Sequence, residues 1–260
     1  MSIKFTVQGL LIYCTFACFL LTLLSWRRVK PSRVFWFAGF LAACLSLCWR
    51  GIHTGHPPMQ NLFEFFLCMA VVFWPLSQWN RWKNGLDTRL SDAALGVLIL
   101  FPAGFVFDES VRLLPPALQS PIFVPHVGSY VAAYVLLARA TILAFPFWKA
   151  TDAADAALQR RADAVHQTVA CGFFLMTLGL LLGSVWGQLC WGHYWAWDPK
   201  EMWSLATWMI YAAYFHYHLQ HGITRPRPLF LLLATGLLFI ILTLTWINLS
   251  RLFTGMHSYA

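Results

Sequence analysis

Six tryptophans fall between residues 186 and 208, at positions 186, 191, 195, 197, 203 and 208. The run W-G-H-Y-W-A-W-D-P-K-E (191–201) adds His193, Tyr194, Asp198, Lys200 and Glu201. Flat indole faces with a few polar handles suit a large, planar, amphipathic ligand better than they suit proton transfer. An aromatic belt at a membrane surface is the plainer reading. The density within one segment, and the three charged residues that follow at once, exceed what a belt requires. Heme is a ligand of that shape, and it needs axial ligands that proteins supply as His, Met, Cys or Tyr.

Two histidines stand at the boundary of an apolar run, His126 and His257. Either alone reads as a solvated or hydrogen-bonded residue, but together they make candidate ligands across a platform formed by Trp186, Trp191, Trp195, Trp197 and Asp198. His193, inside the segment, is platform, spare ligand or propionate contact. Asp198 and Glu201 have a second reading: with Pro199 they make a helix start, where an acid complements the helix dipole and proline suits the first turn.

Ionisable residues at membrane depth are functional candidates by default. His216 lies fifteen residues into its predicted helix, about 22 Å deep at ~1.5 Å per residue, and Arg139 lies about 20 Å into another. Arg139 either snorkels to the interface or meets a heme propionate, while His216 is a candidate ligand for iron at an inner site. His53 and His56 form an H-x-x-H without an acid on the same turn, which makes a weak zinc site and leaves His56 only a possible functional residue. The seven cysteines contain no C-x-x-C and mostly sit inside apolar runs, as small packing residues do.

The elements that must position these groups follow from composition. Of 260 residues, 59% are hydrophobic and 11% are charged, against about 25% charged in an ordinary globular domain. The expected fold is an all-α polytopic membrane protein, one integral membrane domain over 1–260. Apolar runs predict about eight transmembrane helices, near 5–25, 34–49, 61–79, 92–107, 126–148, 165–185, 201–219 and 229–247. The first is long enough to span rather than to be cleaved as a leader. Net charge is +8, but the basic residues cluster between apolar runs, as in cytoplasmic loops, so topology accounts for the charge and no nucleic-acid partner is implied. Lys and Arg concentrate after the first, third, fifth and seventh helices. Both termini are therefore expected outside, with the tryptophan-rich loop between helices 6 and 7 on the outer face beside His126 and His257.

The motif blocks resemble a known family. W-G-x-x-x-W-G-x-Y-W-x-W-D-P-K-E, from Trp186 to Glu201, is similar to the "WWD" signature of heme-handling proteins, in the D-P-K-E form of the CcsA (ResC) family of System II cytochrome c biogenesis. GHPPMQNLFEFF (55–66), HVGSYVAAY (126–134), TWMIYAAYFH (207–216) and INLSRLFTGMHSYA (247–260) resemble further family blocks in family order, with Phe63 where the family has Tyr.

The resemblance implies a protein that works with a CcsB (ResB) partner. Together they move heme b across a bacterial inner membrane, or its thylakoid equivalent, and present it on the periplasmic or lumenal side. There it is attached to an apocytochrome c bearing C-x-x-C-H, whose thiols a reducing pathway keeps ready. In that reading the chain is the heme-handling subunit of a thioether-forming, two-component holocytochrome c synthase. His126 and His257 match the outer axial ligands, His216 matches the inner one, whose second ligand comes from the partner, and the WWD residues form the platform. A heme exporter without ligation, or a heme-bearing electron-transfer subunit, are the other classes the same residues would serve.

Overall fold

The computed structural model describes residues 3–150 and 155–246; His257 lies outside them. Eight α-helices follow one another, and no strand occurs among the described residues: α1 Val7–Leu24, α2 Val29–Thr54, α3 Leu62–Asn84, α4 Arg89–Phe105, α5 Phe123–Leu143, α6 Ala156–Trp191, α7 Pro199–His221 and α8 Pro226–Ile241. A short π-helical turn, Leu242–Trp246, continues α8. Among the described residues, six helical segments are long and apolar enough to cross a membrane: α1, α2, α3, α5, α6, and α8 with its π-turn. The eight expected spans are thus six by length and composition. At 17 residues α4 is only about 25 Å long, short of a ~30 Å hydrocarbon core, and His, Gln and acidic residues dilute the apolar character of α7.

Local chemistry sets most helix ends. The Thr6 hydroxyl accepts from the Gly9 N–H at the start of α1, and Asn61 Oδ1 accepts from the Glu64 N–H at the start of α3. The Asp155 side chain accepts from the Ala157 N–H at the start of α6. That helix runs for 36 residues, far beyond the 165–185 read from hydropathy. The stretch 156–164, mixed alanine and charge, is rich in helix formers and simply continues the helix, as do Trp186 to Trp191 at its other end.

The chain folds as two compact units, Met1–Leu118 and Gln119–Ala260. In the first, α1 packs on α2 and α4, and α3 packs on α4 and α2. Its core is keyed by Phe19, whose ring reaches into two gaps. A β-carbon at Gly39 on α2, or at Gly96 on α4, would come within 2.6 Å of it. Trp36 covers the same ring at 5.0 Å.

A buried ion pair closes one end of this unit: Arg50 Nε donates to Glu64 Oε1 at 2.9 Å, with the two side chains 3% and 0% exposed. The Gln60 N–H donates to Glu64 Oε2, and Arg50 also reaches the carbonyls of Glu109 and Ser110. Both carboxylate oxygens and all three guanidinium nitrogens are thereby hydrogen-bonded, the condition under which a buried ion pair is tolerable.

In the second unit α5 is the central helix, packed on α6 and α8, while α7 packs on α8 and α6. The α5–α6 seam is tight because α6 carries Gly172, Gly179 and Gly183 along it. β-carbons there would meet Leu137 at 2.8 Å, Tyr130 at 2.9 Å and His126 at 2.5 Å respectively. Small residues of this kind let two membrane helices approach closely.

Candidate functional site

The tryptophan-rich segment divides into three parts. Trp186 and Trp191 belong to the last turns of α6. The connection spans 192–198, and α7 starts at Pro199. Gly192 stops α6 in the left-handed region, φ 83°, where a side chain would be strained. At the other end Asp198 and Glu201 form a reciprocal capping box with Pro199 in the first turn. The Asp198 carboxylate accepts from the Lys200 N–H at 2.9 Å, and Glu201 Oε2 accepts from the N–H groups of Ala196 at 2.8 Å and Asp198 at 3.2 Å. Asp198 is buried and serves this cap.

Between these fixed ends the aromatic side chains face different surroundings. Trp197 is 67% exposed and adopts φ 58°, the only positive φ at a non-glycine residue among those described. Trp195 packs edge-on to it, with ring centroids 5.9 Å apart. Trp195 is half-buried, and its indole Nε1–H is enclosed without a hydrogen-bond partner among the described residues. Tyr194 is exposed and His193 half-buried.

Trp186, by contrast, is 1% exposed. Its ring lies nearly parallel to His126, with centroids 5.7 Å apart and 20° between planes, and it meets Phe123 at 5.5 Å and Trp191 at 4.8 Å. The His126 Nδ1 lies 2.8 Å from the carbonyl oxygen of Gly179. A carbonyl only accepts, so Nδ1 carries the proton and Nε2 carries the lone pair. Tyr130 approaches the same imidazole edge-on at 5.3 Å. His126, Trp186, Trp191 and the aromatic connection are thus gathered at one end of the second unit.

The other candidates are placed separately. Arg139 is 1% exposed in the last turns of α5, its side chain enclosed by the unit. His216 is on an exposed face of α7, its Nε2 accepting from the Gln220 amide at 2.9 Å. A pairing that the sequence pattern does not show lies nearby: His218 stacks on His166 of α6 with centroids only 4.0 Å apart, and Tyr214 lies beside both. His56 belongs to the first unit, where its Nδ1 donates to the Pro57 carbonyl at 3.0 Å, and His53 lies parallel to Trp49. Among the described residues no cluster of three or more His, Cys, Asp or Glu forms a metal site.

Whether these groups fit heme is answered by chemistry already present. An imidazole with its Nδ1–H held by a backbone carbonyl is the usual arrangement of a metal-ligating histidine. Open indole faces and an enclosed, unsatisfied indole N–H suit a flat ring with acidic substituents. The residues fit.

Comparison with known proteins gives the family. The cytochrome c assembly protein family matches residues 59–254. The chain is 33% identical over 259 residues to the cytochrome c biogenesis protein CcsA of a Synechococcus strain, covering 85% of this chain and 82% of that one. It is 26% identical over 302 residues to CcsA of Guillardia theta, covering 99% and 98%, and 28% identical over 254 residues to CcsA of Prochlorococcus marinus, covering 84% and 80%. A match of this extent to the family, on a helical membrane fold that gathers its tryptophans and a carbonyl-held histidine at one end, places the chain in the cytochrome c assembly protein family.

Proposed function

We propose that this chain serves cytochrome c maturation as the subunit that takes heme across the membrane, with a CcsB-type partner, and presents it at the aromatic end of the second unit. The observation that carries this reading is His126, with Nδ1 held by the Gly179 carbonyl and its ring backed by Trp186. In this reading His126 supplies one axial ligand and His257 the other, while Trp195 and Trp197 provide open surface and the enclosed Trp195 indole N–H meets a propionate. His216, exposed on α7, is the ligand this chain offers at an inner site, and the partner provides its mate. The concentration of basic residues in alternate loops supports both termini and the aromatic connection lying outside.

The reaction to be served is addition of two cysteine thiols across the two vinyl groups of reduced heme b, which forms two thioether bonds without net oxidation. Nothing in that step demands an acid or base from the aromatic segment. What the chain supplies is orientation, exclusion of water and ligands that an incoming histidine of the apocytochrome displaces. The test is the absorption spectrum of the purified chain with and without a CcsB-type partner, combined with His126→Ala and His257→Ala assayed for holocytochrome c with and without imidazole. A bis-histidine spectrum, lost in the variants and restored by imidazole, is expected. Full activity of both variants without imidazole refutes the ligand assignment. Bound heme with no covalent cytochrome c reassigns the chain as a carrier.

A further inference from the structure

We propose that Gly183 and Trp186 are positioning residues for His126: they fix which imidazole nitrogen faces the cargo and hold the ring in one plane, so Trp186 is a backing wall and not part of the heme floor. The inference rests on the reading of His126 as an axial ligand, and deepens it.

The geometry starts in the helix backbone. In an α-helix the carbonyl of residue i is overhung by the side chain of residue i+4, so the carbonyl of Gly179 is normally shaded by whatever stands at 183. That residue is glycine, and a β-carbon added there would come within 2.5 Å of His126 Cε1 and 2.9 Å of Nδ1. The missing methyl is therefore the space the imidazole occupies. Gly183 uncovers the second lone pair of the Gly179 carbonyl, and His126 reaches it at 2.8 Å.

With Nδ1 fixed as the donor in the ring plane, a wall against one face holds that plane. Trp186, three residues further along α6, supplies it at 5.7 Å and 20°. Phe123 and Trp191 hold that indole in turn. An indole that is 1% exposed, with its neighbours on both flanks, has no open face for a heme to lie on. Trp195 and Trp197 are the tryptophans of the connection with surface to offer.

Other glycines of this unit allow a test that separates this role from general packing. Gly172 lies on the same seam, eleven residues away, and a β-carbon there strikes Leu137 at 2.8 Å, far from His126 along the helix. Gly128 has open space at its β-carbon position. The full-length chain carrying Gly183→Ala, Trp186→Leu, Gly172→Ala, Gly128→Ala or His126→Ala would be purified in detergent. Each would be titrated with hemin under dithionite, with the Soret band read per folded molecule, with and without imidazole.

The expected result is that Gly183→Ala weakens heme binding about 10–100-fold, as loss of an outer-shell partner does, and that His126→Ala weakens it at least as much. Imidazole restores both, while Gly172→Ala and Gly128→Ala bind as the parent does. Trp186→Leu, which adds no clash, also weakens binding with imidazole rescue, and decides the matter if Gly183→Ala fails to accumulate. Equal loss in Gly172→Ala, or parental binding in Gly183→Ala and Trp186→Leu while His126→Ala loses heme, overturns the positioning role. Undiminished heme in His126→Ala overturns the ligand reading itself.

Discussion

Trp197 offers a test in which the sign of an effect, more than its size, decides. Its backbone stands at φ 58°, and its side chain is 67% exposed. For a non-glycine residue the left-handed region costs about 1–3 kcal/mol, whereas glycine is at ease there. Replacing Trp197 by alanine removes the indole and its edge contact with Trp195 but keeps the β-carbon and the strain. Glycine removes the same contact and the strain together. At an ordinary position glycine is about 0.5–1 kcal/mol worse than alanine. Here that order should reverse, with Trp197→Gly more stable than Trp197→Ala by about 1 kcal/mol. For a chain of this size that is a difference of about 2–4 °C in Tm. Thermal unfolding of the two full-length variants in the same detergent, followed by near-ultraviolet circular dichroism, reads it directly. Hemin titration of the pair should show equal weakening, because both lack the exposed indole. If the alanine variant is the more stable, the strain reasoning is wrong. If heme binding differs between them while stability does not, the loop conformation rather than the indole governs the site.

Further outcomes follow from packing and polar satisfaction. Gly39→Ala should destabilise the first unit by about 1–3 kcal/mol through overpacking against Phe19, and Phe19→Leu should relieve part of that cost in the double variant, measured by thermal unfolding. Glu64→Gln leaves the buried Arg50 guanidinium without its countercharge and should cost about 3–5 kcal/mol, read as loss of folded chain in membranes. Tyr211→Phe should be neutral or stabilising by up to about 1 kcal/mol. The Tyr211 hydroxyl is fully buried and has no hydrogen-bond partner among the described residues, and the same melting assay checks it.

The number and order of helices were legible because most are apolar runs punctuated by proline, glycine or charge. The length of α6 was not. Its first nine residues set Gln159, Arg160, Arg161 and Asp163 among alanines and a leucine, so hydropathy stopped at 165 while the backbone, in good helix formers, continued from Ala156. The start of α7 was readable from Asp198, Pro199 and Glu201, since capping chemistry is local. Burial is not local. Trp186 and Trp197 are the same residue type eleven positions apart, and only packing against α5 decides that one is enclosed and the other open. The glycines at 172, 179 and 183 were a signal of close helix approach that could have been taken from their spacing alone. The His166–His218 stack needed the register of α6 against α7, which no single-helix pattern contains.

The 36 residues of α6 give a rod about 54 Å long, while a bilayer with its headgroups is about 40–45 Å thick. Fitting the whole rod into a ~30 Å hydrocarbon layer would demand a tilt beyond the 0–40° at which membrane helices are found. Part of α6 must therefore stand outside the hydrocarbon layer, as a stalk among headgroups and water. Its composition says which part: Gln159, Arg160, Arg161 and Asp163 fall in the first turns, and the apolar run begins only after His166. The stalk holds a pair of guanidinium groups at the height where anionic headgroups lie, so this end of the helix is anchored by charge while the Trp191 end is anchored by indole.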